Sequence, residues 1–399
     1  MKQGYKNLDY YLERTTFFSM IVFTAAMPFT IALTQISLSV ALLAWLGRIL
    51  VTHSVRLRRL SLEWAFLAYI AAEIIALVFS TNVPQSFIFL KRLLLIPIVY
   101  LFALNVLQKK QLNLLATIFI FSVTLYSLSG IVSFFLHPSL RVRHIQNSMT
   151  AGGITMIGAL VTFAFAAFDN ENKKRWLWFF FGLINTSCLV LTSTRGSWLG
   201  FFIGLLFIVY FANRKLFVAI PLLVAAFVFL GPQEFSGRVK HIFDPTWRTN
   251  AKRIFWWSVG LKIYKDHPIV GIGDVSTTEM FKKYAPPGTK ELAGHMHNNF
   301  VHIAVTLGTV GLLAFIYMML QVFLVLLKQF LHTRPARGPT LSWAAAAVAI
   351  FIAFNFNGLF EWNFGDAEII TMIWFVTGGA LAIPNLPNET LAPPKEKMK

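Results

Sequence analysis

Charge is what this sequence has least of. Asp, Glu, Lys and Arg make up 13% of its 399 residues, against roughly 25% in an ordinary soluble domain. A chain so short of charge cannot cover a water-facing surface of its own size. Acid is the scarcer sign: 17 Asp and Glu stand against 35 Lys and Arg, a formal net charge of +18. Cysteine is nearly absent. Cys188 stands alone, which excludes a disulfide framework and a cysteine-based metal site. What is there instead is apolar: hydrophobic residues reach 56%, with 40 Phe. The chain reads as an all-α integral membrane protein whose basic excess needs its own explanation.

A membrane helix needs about 20 apolar residues. Reading between charges gives twelve spans, near 12–29, 31–47, 62–80, 86–107, 112–136, 148–168, 176–193, 196–213, 216–231, 300–327, 340–360 and 367–385. The first two are a tight fit, since 33 residues separate Arg14 from Arg48, with Pro28 near the middle. A cleaved leader is not expected, because the first apolar stretch is too long and a second follows at once. Positive charge orients the set. With the N-terminus cytoplasmic, twenty of the 35 basic residues fall in cytoplasmic segments, and each such loop carries at least two. Reading 15–47 as one span would put Arg56, Arg58 and Arg59 on the wrong side. The expected organisation is therefore nine spans in 1–231, a periplasmic loop at 232–299, three spans in 300–385, and a cytoplasmic tail at 386–399. Both termini are expected inside. No internal repeat is visible, and no low-complexity tract beyond the Pro/Lys tail at 393–399.

The other fifteen basic residues lie at or beyond the outer boundary. Lys91 and Arg92 sit near the outer end of span four, Arg141 and Arg143 in the third outer loop, and Arg195 in the tight turn STRGS. Ten more lie in 232–299 beside six acids. In that loop, TNAKRIFWWSVGLKIYKDHP predicts an amphipathic helix over 250–265 on the membrane surface, with Thr249 or Asn250 as N-cap and Pro268 as the stop. Trp256 and Trp257 would sit at headgroup depth. Arg253 falls in the first turn, where helix N–H groups favour an anion; it serves a substrate phosphate or simply lipid phosphates. GIGD (271–274) follows a helix rather than a strand, so it is a turn with no nucleotide role.

Residues 291–311, ELAGHMHNNFVHIAVTLGTVG, bring His295, His297 and His302 to the mouth of span ten. Three readings are open: a metal site with Glu291, hydrogen-bonded interface histidines, or a general base suited by its near-neutral pKa. Arg195 has two: a snorkelling side chain, or a guanidinium fork facing phosphate oxygens, since arginine near hydrocarbon is costly without a partner. Glu73, midway along span three, is within reach of Lys91 or Arg92 and is expected to form a structural ion pair.

At these residues the sequence resembles the O-antigen ligase and polymerase superfamily of bacterial envelope glycosyltransferases, most closely the lipopolysaccharide O-antigen ligases. Three features carry the resemblance over 190–385: His297-Asn298 followed by Gly308 and Gly311; Thr194-Arg195-Gly196 in a short turn; and Arg253 with Trp257 ahead of Pro268 and Gly271-Ile-Gly273. Spans one to six resemble the family only in hydropathy. The resemblance implies a GT-C-type glycosyltransferase of the inner membrane, metal-independent and without cofactor. It would move a glycan from undecaprenyl pyrophosphate to a sugar hydroxyl of lipid A–core, with inversion. It implies His297 as base and Arg195 and Arg253 at the pyrophosphate. Lys91, Arg92, Arg141 and Arg143 extend the phosphate-binding field. His295, Asn298 and Trp257 belong to the same segments, and Glu361 and Asp366 would hold sugar hydroxyls or orient the base. Partners are the two lipid-linked glycans and membrane lipid, not nucleic acid.

An O-antigen or exopolysaccharide polymerase shares the donor and differs in acceptor, and a single large outer loop favours the ligase. A protein O-glycosylating ligase of the same superfamily stays open. A twelve-span transporter or flippase fits less well, because the long loop follows span nine and no half-to-half repeat is present.

Overall fold

The computed structural model describes residues 2–52, 59–137, 141–142, 145–218, 222, 237, 241, 244–335 and 337–387, with backbone alone for 2–6. Every regular element among them is helical. In chain order they are α1 (Lys2–Ala26), α2 (Ile31–Thr52), α3 (Glu63–Val78), α4 (Val83–Phe89), α5 (Pro97–Asn105), α6 (Lys109–Leu136), α7 (Ser148–Phe168), α8 (Asn172–Leu191) and α9 (Arg195–Ala212). Within the loop lie α10 (Arg248–Asp266) and α11 (Thr278–Tyr284), and after it come α12 (Asn299–Thr333), α13 (Pro339–Asn357) and α14 (Ala367–Ala382). The stretch 15–47 is indeed two helices, turning at Pro28, and Arg48 of α2 ties back to Asp9 and Glu13 of α1 at 2.8 Å each.

Eleven of the twelve expected spans coincide with helices; the ninth, 216–231, falls almost wholly outside the described residues. Eight helical stretches are long and apolar enough to cross a membrane: α2, the run 83–105, α6, α7, α9, α12, α13 and the run 367–385. The multi-pass character is clear, and eight of the twelve expected spans meet that criterion among the described residues.

Packing sorts the faces. α7, capped by the Asn147 side chain on the Met149 and Thr150 amides, is buried along almost its whole length, as are α13 and α14. On α12, Phe315, Met318, Val322, Leu326 and Phe330 are buried, while Val310, Leu313, Tyr317, Leu320, Leu324 and Leu331 are exposed at helical spacing. An apolar stripe left open opposite a packed one is a lipid-facing wall. α9 and α13 approach closely: a methyl group added at Gly200 or Gly204 would sit 2.7 or 2.8 Å from the Ala353 or Ala349 carbonyl oxygen. Such small-residue seams let membrane helices pack at backbone distance.

The turns after α3, before α7, before α9 and before α14 gather at one end, where the loop 244–298 lies across them. Thr81 N–H donates to Ile272 at 2.9 Å, Arg195 to the His241 carbonyl at 2.8 Å, and Asn299 N–H to Gly358 at 2.7 Å. Those are the segments the charge pattern assigns to a common side.

The loop is locked to α12 by a break in that helix. Gly308 has φ 65 and ψ −164, which frees the amides of Thr309 and Val310 and the carbonyls of Val305 and Thr306. Residues 268–273 satisfy all four: Thr309 and Val310 donate to Pro268 and Ile269 (2.8 and 3.1 Å), and Ile272 and Gly273 donate to Val305 and Thr306 (3.1 and 2.8 Å). The crossing admits no side chain. A Cβ at Gly308 would lie 2.3 Å from the Ile269 oxygen, and one at Gly271 2.4 Å from the Thr306 carbonyl. The two glycine motifs are therefore one joint. Gly308→Ala adds left-handed strain of about 1–3 kcal/mol to that clash. We expect a melting temperature clearly below wild type in detergent, read by fluorescence-detected size exclusion after heating; an unchanged melt would disprove the joint.

Candidate active site

α10 begins at Arg248, with Trp247 as an N-cap that makes no side-chain cap. Thr249 and Asn250 are thus inside the helix, not capping it, and Arg253 lies in the second turn, where the dipole has faded. Along this helix Ile254 and Leu261 are exposed, while Val259, Gly260 and Ile263 are buried. That buried side forms a small core with Ile272, Val275, Phe281, Ala293 and Met296. A different face carries the chemistry. Thr249, Lys252, Arg253 and Trp256 recur at helical spacing and line one pocket of about 110 Å³.

Opposite them is the turn before α9. Ser193 adopts a left-handed φ of 55, Thr194 is the N-cap, and Arg195 is the first helical residue. Its guanidinium donates to His241 O at 2.8 Å, Asn250 Oδ1 at 2.7 Å and Thr249 Oγ1, pinning α10 over the turn. Arg195, Arg253, Lys252 and Arg141 all line the pocket, and among the described residues no carboxylate does. Lys252 pairs with Glu291 at 2.6 Å. Four cations beside the positive end of a helix make a site for an anion.

His297 also lines this pocket, again in a left-handed conformation, φ 47. Its ring is stacked on Trp256 (4.6 Å between centroids, 18°) and leans on His295 (4.1 Å). His297 Nδ1 lies 2.8 Å from Glu361 Oε1, and Arg253 is 3.4 Å from Glu361 Oε2. Burial alone would raise the Glu361 carboxyl. The His297 hydrogen bond and charge, then Arg253, outweigh it and hold the pKa below the usual value. Glu361 is thus ionised and can only accept, so Nδ1 carries the proton and Nε2 is the basic nitrogen. Burial, then the neighbouring His297 ring, pushes His295 down to about 4, so it is neutral.

Behind Glu361 opens a second, larger chamber of about 510 Å³, lined by Arg92, His295, His302, Glu361 and Asp366 among others. Arg92 is spent on Asp274, at 2.8 and 3.1 Å. The expected Glu73 ion pair does not form: Glu73 accepts from Tyr69 Oη at 2.6 Å, and Arg92 has a carboxylate nearer the chamber. Asn298 caps α12 through the Phe300 and Val301 amides and donates to Leu359. Trp257 donates to Met296 O at 2.8 Å, holding the histidine segment, and borders a third pocket with Arg195 and Arg253. Lys91 is exposed and lines none of these pockets; Arg143 lies outside the described residues.

His295, His297 and Glu361 bring three ligand atoms within 4.8 Å of one another. This differs from the set read in sequence, since Glu291 is paired with Lys252 and His302 packs on Trp362. Arg253 at the same carboxylate opposes a dication there. Sequence reasoning missed Trp256, put at headgroup depth, and Lys252; both share Arg253's helical face at three- and one-residue offsets, a signal that was readable.

A bundle of apolar helices with a cation-lined pocket and a His–Glu pair at one end defines a multi-pass membrane protein. Residues 178–316, which contain Arg195, Arg253, His297 and both glycine pairs, match the family model described as O-Antigen ligase. A candidate polysaccharide ligase of Rickettsia conorii is 24% identical over 299 residues, 69% of this chain and 65% of its own length. One of Rickettsia felis is 26% identical over 208 residues, 48% of this chain and 46% of its own. The matches span just under two thirds and about half of those relatives. Over residues 178–316 the chain is similar to that O-antigen ligase family.

Proposed function

We propose that this protein is an O-antigen ligase of a bacterial inner membrane, with the loop side facing the periplasm. It would transfer a glycan from undecaprenyl pyrophosphate to a sugar hydroxyl of lipid A–core. One observation carries the reading: the His297–Glu361 pair stands at the wall of a pocket lined by Arg141, Arg195, Lys252 and Arg253. The diphosphate would occupy the cationic pocket. His297 Nε2 takes the acceptor hydroxyl proton as its oxygen attacks the anomeric carbon. The bond from that carbon to the phosphate oxygen breaks, and the configuration inverts. Arg195 and Arg253 meet the negative charge that grows on the leaving diphosphate, the role fixed cations play best in a water-poor site. Glu361 stabilises the imidazolium formed on the way. Charge that a metal would otherwise supply is already present in the arginines.

Deletion of the gene tests this reading against a polymerase. Loss of a ligase strands long glycan chains on the carrier lipid and leaves lipid A–core bare. Single repeat units attached to lipid A–core would instead make the protein a polymerase.

A further inference from the structure

The chamber behind Glu361 has features the anion pocket lacks. His302 lines it and is 2% exposed, yet among the described residues its Nδ1 has no hydrogen-bond partner. Buried polar atoms are seldom left unsatisfied, because each costs about 1–3 kcal/mol; one on the wall of a cavity points to a polar occupant. The charge differs as well. Arg92 is neutralised by Asp274 and Glu361 is paired with Arg253, leaving the carboxyls of Asp366 and Glu368 on the lining. Asp366 accepts from Thr150 Oγ1 at 2.5 Å and from the Glu368 amide at 3.2 Å. Burial, then the neighbouring Glu368, pushes its carboxyl up to about 7, so near neutrality it offers both a donor and an acceptor.

The His297–Glu361 pair is the partition: the histidine faces the cationic pocket and the glutamate lines the chamber. We propose that this chamber binds the sugar end of the acceptor, and that its carboxylates select an uncharged or amine-bearing sugar over a phosphorylated or carboxylated one. The proposal rests on the ligase reading for the word acceptor. The binding itself does not. Carboxylates and amides grip hydroxyls and ammonium groups, whereas an added anion meets the acidic Asp366–Glu368 wall.

Saturation-transfer NMR on the full chain in phospholipid nanodiscs tests it without requiring turnover. The probes are methyl β-glucoside, its 2-amino analogue and methyl β-glucuronide. We expect the first two to bind and the glucuronide to bind roughly tenfold or more weakly, a difference of about 1.4 kcal/mol. Asp366→Asn keeps a side-chain oxygen for the α14 cap, and Glu368→Gln leaves the cap alone; each should reduce that discrimination to threefold or less. Arg195→Ala should leave glycoside binding unchanged. Equal binding of the glucuronide, or binding lost with Arg195→Ala and kept in both acid variants, overturns the chamber assignment. Failure of Arg195→Ala to impair transfer would instead overturn the ligase reading and leave this result standing.

Discussion

His297→Ala abolishes glycan transfer while the protein stays folded in the membrane. Removing a general base costs on the order of 10²–10⁴-fold, enough to take capped lipid A–core below detection in a complemented deletion strain. The structure says why the loss is chemical. His297 caps no helix; its ring is held by Trp256, His295 and Glu361 so that one nitrogen is committed and the other basic. Its left-handed backbone, φ 47, is a conformation alanine tolerates less well. His297→Asn, which accepts positive φ, therefore serves as the second variant. Both should elute as wild type in detergent and both should fail to transfer. Normal capping by either would remove the base from the mechanism.

Arg195→Ala and Arg253→Ala should each lose about 10²–10³-fold in kcat/KM if each stabilises the leaving diphosphate. The two losses have different secondary effects. Arg195 also pins His241, Thr249 and Asn250, so its removal loosens α10 over the turn before α9. Arg253 instead shares Glu361 with His297, so its removal leaves a buried carboxylate with one partner fewer. Arg195→Lys and Arg253→Lys keep charge but lose the planar fork, and should recover part of the activity only. Transfer assays with purified variants at saturating acceptor separate the effects. Wild-type rates in either alanine variant would show that its arginine does not meet the diphosphate.

The helical bundle was legible in the sequence because hydropathy is a local property, and ten of the expected spans needed nothing else. The exception is instructive: α12 reads as one span, yet it is broken at Gly308 by chain from 268–273. A glycine in a membrane helix does not announce which backbone will cross it. Arg195, Arg253 and His297 were legible as residues out of place, charges and imidazoles at an apolar boundary, and they line one pocket. Their partners were not. Glu361 is 64 residues from His297, and Asp274 is 182 from Arg92; charge complementarity offered Arg92 a nearer candidate in Glu73, which Tyr69 takes instead. Asn298 and Trp257 sat within recognisable motifs, yet the structure uses them as a cap and a backbone clasp. Motif membership marks a segment as important without saying which side chain faces the cavity.

The most direct measurement is transfer by purified wild-type and His297→Ala proteins in lipid vesicles, in the presence of chelator. The substrates are undecaprenyl-pyrophosphate-linked glycan and lipid A–core, with no nucleotide sugar added. The account predicts one molecule of free carrier diphosphate released for each glycan joined to lipid A–core by the wild type, with inverted linkage, and neither product from the variant. Transfer that stops in chelator, or that continues without His297, would contradict it.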